Sequence, residues 1–165
     1  MSRNERTLYV VMGLPCTGKT FVARSIAHKL GAIHLRTDVI RKELFSTPIY
    51  SENEKEVVYK EFFRRATEVL ERESSVVLDA TFAKRICRDG AEKVAKQAGA
   101  KLVLLETMCP ENIVRERLAS RMHDESDATF TQYLAQKDVF ESLIKPHCSI
   151  DTSKKLDAQL CFLFD

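Results

Sequence analysis

The chain lacks the features that would place it in a membrane, a disulfide scaffold or a disordered tail. No apolar run approaches about 18 residues, so nothing is long enough to span a bilayer as a helix. The residues before the first apolar strand hold no secretory hydrophobic core, which sets the expectation of a cytoplasmic protein. The five cysteines stand at 16, 87, 109, 148 and 161. None belongs to a C-x-x-C pair and their number is odd, so neither a zinc site nor a disulfide framework is expected. They read as free thiols in a reducing compartment. The four histidines are scattered and read as structural or surface residues. An excess of one charge is missing too: 26 Lys and Arg face 24 Asp and Glu, for a net +2. No basic face is forced, which argues against tight non-specific nucleic-acid binding and leaves a local basic cleft open. There is no repeat, low-complexity tract or Pro/Gly-rich linker. The 165 residues read as one domain over 1–165, and 44% apolar content supports a real core.

Against these absences one motif stands out. Gly13 to Thr20 read GLPCTGKT and satisfy G-x-x-x-x-G-K-[ST] at every fixed position. Those positions match by chance in roughly one chain in two hundred of this length. The context is also right: apolar Leu8 to Met12 precede as a strand, and Phe21 to Leu30 follow with helical spacing of Val22, Ile26 and Leu30. A glycine-rich turn lets successive backbone N–H groups surround phosphate oxygens, and the helix N-terminus adds its positive end. Gly13, Leu14, Pro15, Cys16, Thr17, Gly18, Lys19, Thr20 and Phe21 are therefore candidate ATP-binding residues. Lys19 is expected to reach the β and γ phosphates, and Thr20 to ligate Mg²⁺. No N-K-x-D stretch occurs, so guanine is not the expected base.

The rest alternates strand and helix patterns. Strands are expected at Thr7 to Met12, Ala32 to Arg36, Ser75 to Asp79, Lys101 to Thr107 and Cys148 to Asp151. Helices are expected at Asp38 to Phe45, from a Ser51–Glu54 capping box to about Arg72, at Lys84 to Ala98, from Pro110 to about Arg121, at Thr129 to Leu143, and at Leu156 to Phe164. Met122 to Ala128 reads as a polar loop. Short connections between alternating elements predict an α/β fold: a three-layer α/β/α sandwich around a five-stranded parallel sheet, its ligands at the carboxyl ends of the strands.

That edge sorts the polar residues. Asp79 ends an apolar strand and suits a second Mg²⁺-side carboxylate acting through water. Asp38 follows the second strand, where it is either a helix N-cap or a general base for an attacking hydroxyl. Arg41, three residues on, can hold an acceptor or the transferring phosphate. Arg117 and Arg121 share a helix face beside an expected lid over about 117–128, where a closing arginine would neutralise developing charge. The segment 45–72 carries Tyr50, Tyr59, Phe62 and Phe63 and is placed like a substrate-side wall.

In this order GLPCTGKT, TDVIR (Thr37 to Arg41), VVLDATF (Val76 to Phe82), the Arg117/Arg121 pair and SIDTS (Ser149 to Ser153) resemble small P-loop kinases. These are similar to the kinase domain of polynucleotide 5′-hydroxyl kinases and, more distantly, to gluconate kinases, zeta toxins and chloramphenicol phosphotransferase. The resemblance covers essentially the whole chain. It implies γ-phosphoryl transfer from Mg·ATP to a hydroxyl of a small molecule or a nucleic-acid 5′ end, by a monomer or weak homo-oligomer. Asp38 matches the catalytic base, Arg41 an acceptor-side arginine, Arg121 a lid arginine, Asp79 with Thr81 the metal and acceptor side, and Ser153 the adenine-side loop. Cys16 departs from the glycine or alanine common there. The alternative from another class is an acceptor-independent ATPase or nucleotide-dependent switch.

Overall fold

The computed structural model describes residues 5–120 and 129–164. Strands β1 (Thr7–Met12), β2 (Ile33–Arg36), β3 (Val76–Asp79), β4 (Lys101–Met108) and β5 (Cys148–Asp151) form one parallel sheet in the order β2-β3-β1-β4-β5. The central strand β1 is buried at all 6 positions, as a strand covered on both faces must be. Alternate side chains point to opposite faces. Leu8, Val10 and Met12 meet Phe62, Leu70 and Val94 on one side. Tyr9 and Val11 meet Val22 and Ile26 on the other. Those partners belong to α3 (Glu52–Glu71), α4 (Arg85–Ala98) and α1 (Lys19–Leu30). The three-layer expectation holds.

Register fixes where the site can form. Val11 and Arg36 both stand opposite Asp79, Met12 opposite Glu106, and Met108 opposite Asp151. The strands therefore end level, and the loops following them open along one edge. The remaining helices are α2 (Thr37–Leu44), α5 (Glu111–Ala119), α6 (Phe130–Val139) and α7 (Leu156–Leu160). Among the described residues no helix is long and apolar enough to cross a membrane.

Two expected elements are shorter than their sequence patterns. The helix expected over Thr129 to Leu143 stops at Val139. Its start is a complete capping box, with Thr129 and Gln132 exchanging side-chain bonds. Its end is overridden by tertiary contacts: the Glu141 N–H donates to Ala83 O at 2.9 Å, and the Glu141 carbonyl accepts from Arg88 at 2.7 Å. The Glu141 carboxylate accepts the Arg85 N–H at the open start of α4. The last expected helix divides into α7 and a 3₁₀ turn, Cys161–Leu163.

The capping box expected at Ser51 is half made. Ser51 Oγ accepts from Glu54 N at 3.1 Å. The Glu54 carboxylate does not return to Ser51. It accepts the N–H groups of Ile49 (2.8 Å) and Tyr50 (3.3 Å), and its other oxygen lies 2.9 Å from Arg41 Nε. Side-chain exposure is 8% for Arg41 and 4% for Glu54, so this is a buried ion pair joining α2 to α3. It also pins Tyr50, which sits at φ 58, in left-handed backbone.

A buried charge that loses its partner is expensive. Glu54→Ala should cost about 3–5 kcal/mol, and Arg41→Met with Glu54→Ala should recover most of it. Urea unfolding checks both; a single variant within about 1 kcal/mol of wild type would remove the pair from the fold's framework.

Candidate active site

The glycine-rich loop between β1 and α1 is shaped by backbone that only small residues accept comfortably. Gly13 has φ 147, and a β-carbon there would lie 2.5 Å from Thr107 Oγ1. Gly18 has φ 89, with Thr152 at 2.9 Å from the same hypothetical atom. Cys16 sits at φ 60, left-handed backbone that glycine alone adopts without cost. Left-handed backbone costs an L-residue about 1–2 kcal/mol. The loop is braced from behind. Thr17 Oγ1 bonds Leu14 O (2.7 Å) and Thr107 Oγ1 (2.7 Å), and Thr107 donates to Met12 O at 3.1 Å. The expected phosphate-loop residues thus divide by role. Pro15, Cys16, Gly18, Lys19, Thr20 and Phe21 line a cleft of about 1400 Å³. Gly13, Leu14 and Thr17 shape the loop: Gly13 N donates to Thr81 O at 3.3 Å. Lys19 Nζ is folded onto Leu14 O at 2.9 Å, rather than pointing into solvent. The first turn of α1 carries neither an acidic residue nor a side-chain cap, so its N–H groups are open to an anion.

Thr20 Oγ1 donates to Asp79 Oδ2 at 2.8 Å, which joins the two expected metal-side residues. Asp79 has 4% exposure and also meets His34 Nε2 at 3.1 Å and Arg36 Nε at 3.5 Å. The oxygen donor pair fits Mg²⁺, which takes one or two protein oxygens and completes its shell with water and phosphate. Among the described residues no cluster of three or more His, Cys, Asp or Glu offers an alternative metal cage.

Asp38 lies in the first turn of α2 and lines the same cleft, as do Arg41 and Thr81. It makes no side-chain cap; the cap position is Arg36. Burial pushes its carboxyl above the ordinary aspartate range. Lys19, Arg36 and Arg41 pull it down, while Asp79 pushes it up. Arg41 Nη1 is 3.9 Å from Asp38 Oδ1, and its guanidinium lies 4.7 Å from the Tyr50 ring centroid. With Nε held by Glu54, Arg41 is aimed rather than free to search.

On the opposite wall Arg117 spans two loops. Its guanidinium donates to Thr152 Oγ1 (2.9 Å), Thr152 O (2.8 Å) and Cys16 O (3.4 Å). Thr152 Oγ1 donates to Thr17 O at 2.6 Å. Ser153, expected on the adenine side, is turned away: its hydroxyl donates to Asp151 Oδ1 at 2.6 Å, and Thr152 lines the cleft instead. Arg121 and residues 121–128 of the expected lid lie outside the described residues.

Several contributors were not legible in sequence. Thr107 and Thr152 are ordinary strand-end threonines until the fold places them against the phosphate loop. Glu54 was masked by its capping-box spacing. His34 and Arg36 acquire meaning only from the β2–β3 register. The one available signal was that His34, Arg36 and Asp79 all occupy strands reaching one sheet edge.

The chain is similar to known proteins over most of its length. An uncharacterized protein of Mycobacterium tuberculosis is 26% identical over 162 residues, covering 91% of this chain and 31% of that protein. An L-seryl-tRNA(Sec) kinase of Methanococcus maripaludis is 26% identical over 171 residues, covering 91% of this chain and 61% of the kinase. This chain thus spans less than two thirds of those relatives. Among solved structures, the Mycobacterium tuberculosis APS kinase in complex with AMPPNP and APS superposes with a TM-score of 0.76 at 18% identity, over 98% of this chain and 96% of that one. At that identity the likeness is one of fold. The AAA domain family model matches residues 8–143. Phosphate loop, strand-end aspartate and family match converge: the chain belongs to the AAA domain family.

Proposed function

We propose that the protein transfers the γ-phosphoryl group of Mg·ATP to a hydroxyl acceptor. The carrying observation is that Lys19, Thr20, Asp38, Arg41 and Asp79 line one cleft at the carboxyl edge of the sheet. An ATPase needs the phosphate-binding half of that set; the buried-side carboxylate and the aimed arginine facing it serve an acceptor.

The open N–H groups of the loop and α1 hold the β and γ phosphates. Lys19 leaves Leu14 O and moves onto them, exchanging one acceptor for a charged one. Mg²⁺, bound with ATP by the Thr20 hydroxyl and through water by Asp79, would supply neutralisation of the phosphate oxygens. Asp38 accepts the proton of the attacking hydroxyl. The acceptor oxygen forms the new bond to phosphorus, the bond from phosphorus to the β–γ bridging oxygen breaks, and ADP leaves with the electron pair. Arg41 positions the acceptor, and Arg117 stays with the nucleotide-side loops. Arg121 is the lid arginine of this proposal. In this proposal the protein works in the cytoplasm, monomeric or weakly associated, residues 1–165 form one kinase domain, and a nucleic-acid 5′ end is one acceptor within the class.

Three outcomes are expected. Lys19→Ala should weaken ATP binding by about 10–100-fold, the loss of a charged hydrogen bond, with the fold intact. Calorimetric titration at wild-type affinity would sink the phosphate-loop assignment. Asp38→Asn should lower transfer by about 10²–10⁴-fold while leaving ATP affinity close to wild type. A variant that retains more than about a tenth of wild-type transfer needs a different base, and acceptor-independent ATP turnover would favour the switch reading.

The pH profile follows from the same residue. A base works deprotonated, so activity rises as pH passes upward through its folded pKa. With that pKa raised, the acid limb of kcat/KM should lie above the ordinary aspartate value of about 3.9. A limb at or below that value would contradict the burial of Asp38.

A further inference from the structure

The cleft is larger than one ligand needs. Pockets for a single drug-sized molecule run about 300–1000 Å³, and this one is about 1400 Å³. Besides the residues around Asp38, its lining includes a group of apolar side chains, called here the arm. Phe63 of α3 lies half-buried along it, Ile86 of α4 and Val139 of α6 face it, and Gln136 stands one turn before Val139. Ile86 is 75% exposed and Val139 55% exposed, although both sit inside a concavity. Apolar side chains left wet within a cleft are covered by whatever fills it.

Their convergence is built in. The Glu141 N–H to Ala83 O bond brings the end of α6 to the start of α4. Lys84 Nζ meets Glu52 Oε2 at 2.9 Å, which brings the start of α3 to the same place. On the far side, α3 and α4 touch at Gly90, where a β-carbon would lie 2.6 Å from Phe63 Cε2. Phe63 is further fixed by Tyr59, 5.8 Å between ring centroids, and by Phe82, 6.5 Å. Tyr59 itself is spoken for: its hydroxyl accepts the Phe82 N–H at 3.2 Å. The lining therefore offers an aromatic edge, two aliphatic side chains and the amides of Gln132 and Gln136, able both to donate and to accept, beside the charged Glu56, Lys60 and Lys84.

We propose that this arm is an aryl-binding subsite. The phosphoryl acceptor is an alcohol whose hydroxyl is attached to a body bearing a flat, largely apolar ring, seated among Phe63, Ile86 and Val139 with its polar edge on Gln136. The inference rests on the kinase reading and adds the acceptor's class to it. A small polyhydroxylated acceptor would leave those three side chains wet and gain nothing from them. The ring-bearing acceptor recovers apolar burial on the ligand and on the protein together.

Two matched pairs isolate the ring: adenosine against ribose, and phenyl β-glucoside against glucose. Each is titrated with the protein saturated in Mg·AMP-PNP, and separately assayed for labelled phosphate transfer from ATP. In each pair the ring-bearing member should bind at least about tenfold more tightly. Ile86→Ser and Val139→Ser, at exposed positions, should keep the fold and ATP affinity and each erode that preference about tenfold. Equal affinity within both pairs, absence of binding by both ring-bearing members, or unchanged preference in both variants overturns the aryl subsite. Transfer to ribose or glucose in preference to their partners overturns it while upholding the kinase. ATP turnover indifferent to every alcohol removes the kinase reading itself.

Discussion

One buried carboxylate organises this molecule. Asp79 ends the β3 strand beneath the phosphate loop, and Thr20, His34 and Arg36 all converge on it. A charge so deeply placed persists only with partners, and here the partners come from the first helix and the edge strand. The same contacts that make the burial tolerable fix the start of α1 relative to β2 and β3. The parallel register does the remainder, because level strand ends put every loop that matters along one rim. Stability and site geometry are thus one set of interactions at this position.

The wall of the cleft that holds Asp38 uses a second buried charge differently. Glu54 holds Arg41 through Nε and two backbone amides at once. The arginine keeps its outer edge toward Asp38 while its charge is largely matched from behind. Two carboxylates of opposite circumstance therefore flank one guanidinium. Glu54 is locked into the framework, and Asp38 is only partly enclosed, with burial as the main influence on its protonation. Such separation of environments between neighbouring acids lets one fold keep a structural anion apart from a carboxyl whose protonation can change.

The layered fold and the phosphate loop could be read from the residues because both rest on local patterns: apolar strand, glycine turn, amphipathic helix. The pairing of Thr20 with Asp79 was legible for the same reason, since Thr20 closes the phosphate-loop motif and Asp79 ends an apolar strand. What escaped was set by distance in the chain. Thr152 and Arg117 come 35 residues apart to meet at 2.9 Å, and no spacing rule encodes that contact. Glu54 misled because its local signature was satisfied by a different, long-range set of bonds. The end of α6 misled likewise: Glu141 leaves the helix for Ala83 and Arg88, and the periodicity running on to Leu143 carried no sign of those partners.

Gly90 carries a consequence of another kind. Its side is bare where α3 crosses α4, and the ring of Phe63 occupies the room a methyl would take. The position of that ring in the cleft lining therefore depends on a missing carbon on α4. On the proposed aryl subsite, a larger residue at that position would move one ring and alter the range of acceptors, with the reacting atoms undisturbed. Chemistry and selectivity would then drift on separate clocks, the first held by the sheet's rim and the second by the spacing of two helices.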